Sequence, residues 1–157
     1  VKHIIQTGVS FYEGDEQAWL VENYTPSIAP RWDGRHLLTA WAVMRDQSLY
    51  WPWFNQTKDG ILWNDGAIDV DLTHLRVVEM LKCGDRYQDA YNAMWTYPMR
   101  EKLPQLKVPC LLSHPPWEPV AYTTQKALEV EPRCTAKELP PAMADWHRDI
   151  DAFLNSS

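Results

Sequence analysis

The stretch from Trp32 to Phe54 constrains the fold more than any other part of the chain. It opens on Asp33-Gly34, a helix-start signal, and keeps helical periodicity up to Pro52, which has no amide hydrogen with which to extend the ladder. Leu37, Trp41, Met44 and Ser48 fall on one face, and Leu38, Trp41, Arg45 and Leu49 on the adjoining one. One helix, apolar over a wide arc, is the expectation, with His36, Arg45 and Asp46 interspersed and Trp32, Trp41, Trp51 and Trp53 along its length and ends. Such a helix must be covered by other elements or must itself cover something.

The rest of the chain supplies candidates for that cover. Val1 to Gly8 reads as a short strand. Asp15 is positioned to cap a helix running to about Tyr24, after which Pro26 and Pro30 enforce an extended linker. Asn55 to Gly66 is polar and loop-like, with Ile61-Leu62-Trp63 as a short turn docking on the core. Asp69 or Asp71 caps the next helix, whose apolar stripe is Leu72, Leu75, Val78 and Leu81 and whose stop is Gly84. Asp85 caps a further helix bearing Tyr87, Tyr91, Met94 and Trp95. From Leu103 the character changes. Leu106 to Ser113 is a charged or polar lead-in followed by an apolar run of strand length, His114 to Pro119 a proline-rich loop, Val120 to Glu131 a helix, and Cys134 to Leu139 a second strand. Ala142 to Leu154 is a terminal helix with Met143, Trp146, Ile150, Phe153 and Leu154 facing inward. Strand, helix, strand, helix in this order implies parallel strands. The fold class is therefore α/β but predominantly helical.

Composition excludes several roles. The net charge is −6 over 157 residues, so nucleic acid is not an expected partner, because phosphate binding requires a basic surface. No apolar run approaches the roughly 20 residues of a membrane span. No targeting segment is visible, which points to the cytoplasm; a start at Val1 rather than methionine is what a processed chain or a portion of a longer one would show. Cys83, Cys110 and Cys134 form no C-x-x-C pair; buried thiols in a reducing compartment are the simpler reading, with one disulfide left open. His3 and His74 lack partners at ligand spacing, so no metal is expected. No cofactor motif is present. Gly8-Val9-Ser10 begins like the G-x-S-x-G elbow, but Tyr12 stands where the second glycine belongs, and a strand leaving into a loop is the reading preferred.

Leu106-x-Val108-Pro109-Cys110-Leu111-Leu112, an acid at Glu118, a helix, a short strand, and a final helix ending Ile150-Asp151-Ala152-Phe153-Leu154 together resemble the C-terminal third of an α/β-hydrolase. The block carrying Asp33-Gly34-x-His36-Leu37-x-x-x-Trp41 and Arg45-Asp46-x-x-Leu49-x-x-Pro52-Trp53 resembles that family's helical lid. The resemblance implies a partial α/β-hydrolase fold, a lid-like helical block packed with a short parallel sheet. Residues 1–12 would be the strand before the lid, 13–103 the lid-like region, and 104–157 the C-terminal β-α-β-α part. It also implies hydrolysis of an ester, epoxide or carbon–carbon bond in a small-molecule substrate, without a cofactor, with Glu118 at the position of the catalytic acid. The family's histidine belongs between the last strand and last helix, where this chain has Pro140, Pro141 and Ala142. His147 comes too late. The nucleophile elbow belongs to an N-terminal half that these residues do not match.

Each candidate has a plainer reading beside it. Glu118 is otherwise a solvated loop carboxylate. His114, at a strand exit where α/β sheets build their sites, is otherwise a loop histidine. His36 either hydrogen-bonds a polar group of the substrate or lies on a helix surface. Arg45 with Asp46 makes a polar anchor or an ordinary ion pair. Trp41, Trp51 and Trp53 line an apolar pocket or fill a core. The non-enzymatic alternative is a catalytically inactive, hydrolase-derived binding or oligomerisation module. Open sheet edges would be covered by forming a homodimer, or by a complementing N-terminal half.

Overall fold

The computed structural model describes residues 1–62 and 68–156. In chain order its elements are β1 (Ile4–Thr7), α1 (Gly14–Asn23), α2 (Arg35–Asp46), α3 (Val70–Cys83), α4 (Tyr87–Trp95), α5 (Met99–Lys102), β2 (Cys110–His114), α6 (Ala121–Val130), β3 (Thr135–Glu138) and α7 (Trp146–Asn155). The fold is mixed α/β and predominantly helical. It divides into two compact units, 1–12 with 97–157, and 13–96.

In the first unit the strands lie in the order β1-β2-β3, all parallel, with Ile4 opposite Cys110 and Leu111 opposite Thr135. The β-α-β-α order of the sequence implied this parallel arrangement. β2 is central and buried along Cys110–Ser113, as the continuous apolar run Cys110-Leu111-Leu112 requires of a strand covered on both faces. Val9, Phe11, Leu103, Cys110, Leu112, Ala127 and Cys134 form the core on one face, closed by α6. Leu111 looks to the other face, where Phe153 of α7 is buried and Lys137 of β3 pairs with Asp149 of α7 at 3.1 Å. In the terminal segment Met143 and Leu154 are exposed, not inward. Residues 143–145 form a separate 3-10 turn, so Met143 is off the face of α7, and Leu154 is turned away from its buried neighbour Phe153.

In the second unit α2 and α3 pack through Ala40, Val43, Val77 and Met80, joined by Ile28 and Tyr87. The helix expected to reach Pro52 ends at Asp46. Proline restrains the residue before it and clashes with the carbonyl four residues back, so helical backbone cannot run up to position 52. The chain instead turns through i→i+3 bonds from Ser48 N to Arg45 O and from Leu49 N to Asp46 O, then forms an antiparallel bridge between Tyr50 and Ile61. The turn that closes this loop demands glycine at position 60, where a Cβ would lie 2.0 Å from the Asn55 carbonyl oxygen. Of the expected Ile61-Leu62-Trp63 turn, Trp63 lies outside the described residues.

The expected starts hold at α2, which begins directly after Asp33-Gly34 with Asp33 Oδ1 accepting from Arg35 N at 3.2 Å, and at α3. Asp69 accepts a hydrogen bond from Leu72 N at 2.9 Å, and Gly84 ends the helix at φ 60°. Its buried face is Thr73, Val77 and Met80, while Leu72 and Leu75 are exposed. Thr73 tolerates burial because its hydroxyl donates to Asp69 O at 2.7 Å. Asp15 lies inside the first turn of α1, whose N-cap is Glu13. Asp85 caps no helix: its carboxylate accepts from Ile28 N at 2.7 Å and Ser27 Oγ at 2.8 Å, tying the proline linker down.

Candidate functional site

Parallel sheets build ligand sites at the carboxyl ends of their strands. Here that edge is fixed by backbone bonds continuing past the strands, from Gly8 N to Ser113 O and from Leu139 N to His114 O, both at 2.8 Å. The Thr7 and Ser113 hydroxyls hydrogen-bond across β1 and β2 at 3.0 Å. The loop after β2 is stiffened by Pro115, Pro116 and Pro119, and Glu118 N donates to Pro115 O at 3.1 Å. Trp117 Nε1 donates to Pro141 O at 3.3 Å and Trp146 Nε1 to Pro140 O at 2.9 Å, so the loops after β2 and β3 are held in register.

Glu118 sits half-buried on this loop. Its Oε2 lies 3.6 Å from the point a Cβ would occupy at Gly8, in the exit turn of β1, where φ is 72°. Sequence reasoning had no signal for this meeting of Glu118 and Gly8, because only the β1–β2 pairing creates it. His114 is half-buried at the end of β2, and its Nδ1 donates to Pro115 O at 3.2 Å. Ser10 follows Gly8 and Val9 in an irregular segment that reaches α1 only at Gly14. Among the described residues no non-glycine has positive φ. Ser10 therefore does not stand on a strained strand-to-helix elbow. The segment is pinned by Thr123, whose buried hydroxyl donates to Val9 O. His147 is exposed on α7, with Nδ1 2.8 Å from Ala144 O.

The second unit carries the other candidates. Trp51 and Trp53 belong to an aromatic cluster centred on Tyr24. Tyr24 contacts Trp51 at 6.0 Å between centroids, Phe54 at 6.2 Å, Tyr91 at 5.1 Å and Trp95 at 5.0 Å. Trp53 meets Phe54 edge-on at 5.7 Å and donates its indole N–H to Tyr24 O at 2.8 Å. Burial, reinforced by Tyr91, pushes the Tyr24 hydroxyl above the ordinary phenol range, so it stays neutral. The i, i+4 spacing of Tyr87, Tyr91 and Trp95 signalled an aromatic helix face, but not its union with Trp51. Trp41 packs with Trp53 against the Ile28, Ala40 and Val43 core.

His36 is not with the aromatic cluster. Its Nδ1 accepts from Arg31 N at 3.1 Å, closing the turn that leads into α2. Arg45 grips Asp46 with two bonds, Nε to Oδ1 at 2.6 Å and Nη2 to Oδ2 at 3.0 Å, and Gln56 Nε2 adds a third at 2.8 Å. The Asp46 hydrogen bond raises the guanidinium's pKa further.

The three cysteines are free; Cys110 and Cys134 are buried and Cys83 is exposed, against the expectation of three buried thiols. Among the described residues no group of three or more His, Cys, Asp or Glu could hold a metal, and no helix is long and apolar enough to cross a membrane. Chemically, the first unit offers a carboxylate and an imidazole at a sheet edge, and the second a largely buried aromatic cluster. Comparison with family models, with curated proteins and with solved structures finds no match to this chain.

Proposed function

We propose that this chain is the lid-like and C-terminal portion of an α/β-hydrolase-like protein, acting on a small ester, epoxide or carbon–carbon substrate in the cytoplasm. One observation carries the reading: the carboxylate of Glu118, on the loop after β2, stands beside Gly8 at the exit of β1, on the carboxyl edge of a parallel sheet. The order β1-β2-β3, with an acid after β2 and helices after β2 and β3, agrees with it. In that chemistry the acid orients a histidine and stabilises its imidazolium, while the histidine takes the nucleophile's proton. Glu118 fills the acid's role. The nucleophile and the base come from outside these residues. In the first unit His114 is the polar contact beside Glu118; in the second, taken by itself, Trp41, Trp51 and Trp53 are the apolar candidates and His36 and Arg45 the polar ones.

The test is a nitrogen–proton correlation titration of the full chain with a small aryl ester and an aryl epoxide. Saturable shifts at the amides of Gly8, Ser10, His114 and Glu118, weakened by Glu118→Gln, are expected. Shifts absent from all four amides overturn the reading.

A second reading has its own support. Within the three-stranded sheet β1 and β3 each pair on one side only, and every residue of β3 is exposed. Open edges suit a hydrolase-derived binding module that closes its sheet by forming a homodimer. Sedimentation separates the two: a discrete dimer unaffected by either ligand favours the module.

A further inference from the structure

The opposite end of the same sheet carries a second arrangement. Cys110 opens β2 and Cys134 directly precedes β3. The pairing of Leu111 with Thr135 sets the two cysteines opposite each other on adjacent parallel strands. Both are buried in one cluster with Leu112 and Ala127. Adjacent strands run about 4.7–4.9 Å apart, inside the Cα separations of about 4.4–6.8 Å at which disulfides close. A cavity of about 210 Å³ is lined by both cysteines, together with Leu106, Lys107 and the Glu131–Arg133 ion pair at 2.6 Å.

We propose that Cys110 and Cys134 are a reversible dithiol–disulfide couple, oxidised by a peroxide small enough to enter this cavity. Burial raises both thiols, Cys110 to about 12. Cys134, next to Arg133 in the chain, is the attacking thiol; burial and the Glu131 charge raise it, while Cys110 and the charge of Arg133 oppose that rise. Its thiolate attacks one peroxide oxygen and the O–O bond breaks. The departing hydroxide takes up the thiol's proton as water, leaving a sulfenic acid. The Cys110 sulfur then displaces the sulfenic hydroxyl, which leaves with the Cys110 proton as a second water. Two thiols and one hydrogen peroxide thus give one disulfide and two waters; the sulfurs are oxidised by two electrons and the peroxide is reduced by two. A small dithiol reverses the reaction by exchange.

The experiment uses the full chain with Cys83→Ser, which removes the exposed thiol and leaves the pair intact. The folded protein is treated with hydrogen peroxide, unfolded in iodoacetamide, and its intact mass recorded. The expected product has lost two hydrogens, carries no alkyl group, yields a crosslinked peptide joining residues 110 and 134, and returns to the doubly alkylated mass after dithiothreitol. Its formation rate rises about tenfold per pH unit between pH 7 and 9, because the thiolate is the minor form there. Two alkylated cysteines after peroxide, or stable oxygen addition at a single sulfur, overturns the proposal.

Discussion

Replacing Asp46 with asparagine tests how the long aromatic segment is anchored. Asp46 is the last residue of α2, and its side chain is 1% exposed. A negative charge at a helix C-terminus opposes the helix dipole, so its position depends on its partners. Three charged hydrogen bonds hold it: two from Arg45, at 2.6 and 3.0 Å, and one from Gln56 at 2.8 Å. The Gln56 bond also fastens the 47–60 loop to the helix. Asparagine keeps the shape but turns one acceptor into a donor facing donors. Each such bond contributes about 1.5–3 kcal/mol, and breaking a fully buried pair costs about 3–5 kcal/mol. The Arg45 side chain, however, is 40% exposed and regains water when released. The expected net loss is about 2–3 kcal/mol, equivalent at this chain length to a fall in Tm of roughly 5–10 °C. Urea unfolding followed by tryptophan fluorescence measures it. In a double-mutant cycle with Arg45→Met, the cost of losing Arg45 should nearly vanish once Asp46 is asparagine. A change below about 0.5 kcal/mol for Asp46→Asn, or an Arg45→Met cost equal in both backgrounds, refutes the anchoring argument.

The remaining predictions concern the first unit. Gly8→Ala should cost about 1–2 kcal/mol through its left-handed backbone alone, since the added Cβ would meet Glu118 Oε2 at an ordinary 3.6 Å; a neutral Tm contradicts this. Leu112→Ala, fully buried on the central strand, should cost about 3–4 kcal/mol in chemical unfolding. The hydrogen bonds from Arg133 hold the Glu131 carboxyl down to about 2, from an ordinary 4.5. The carboxylate's contribution is therefore complete above pH 4.5 and lost as pH falls through about 2. Unfolding curves of the parent and of Arg133→Met should differ at pH 5 and converge by pH 2; a gap independent of pH excludes the pair.

The parallel sheet was legible because the apolar run of β2 and the β-α-β-α order each point to it from local pattern. The cap at Asp69 and the stop at Gly84 were legible for the same reason, each acting within one turn. What was hidden acts at a distance. Asp85 looks like a helix cap, yet serves Ile28 N, 57 residues away. Leu72 and Leu75 look like core, yet Thr73 is buried instead because its hydroxyl is satisfied within the helix. The early end of α2 depended on the backward reach of Pro52 and on Gln56 binding Asp46. At the candidate site, Glu118 was found through a family pattern; that it meets Gly8 required strand pairing across more than a hundred residues.

The proposed function requires that this chain contribute an acid but no activated nucleophile. Intact mass after incubation with a fluorophosphonate, which captures activated serines, tests it most directly. Ser10 stands on no elbow, and the proposed resemblance would put the base where this chain has Pro140, Pro141 and Ala142. An unchanged mass is therefore predicted. A single adduct mapping to Ser10 would mean that the chain activates its own nucleophile, and would contradict the account.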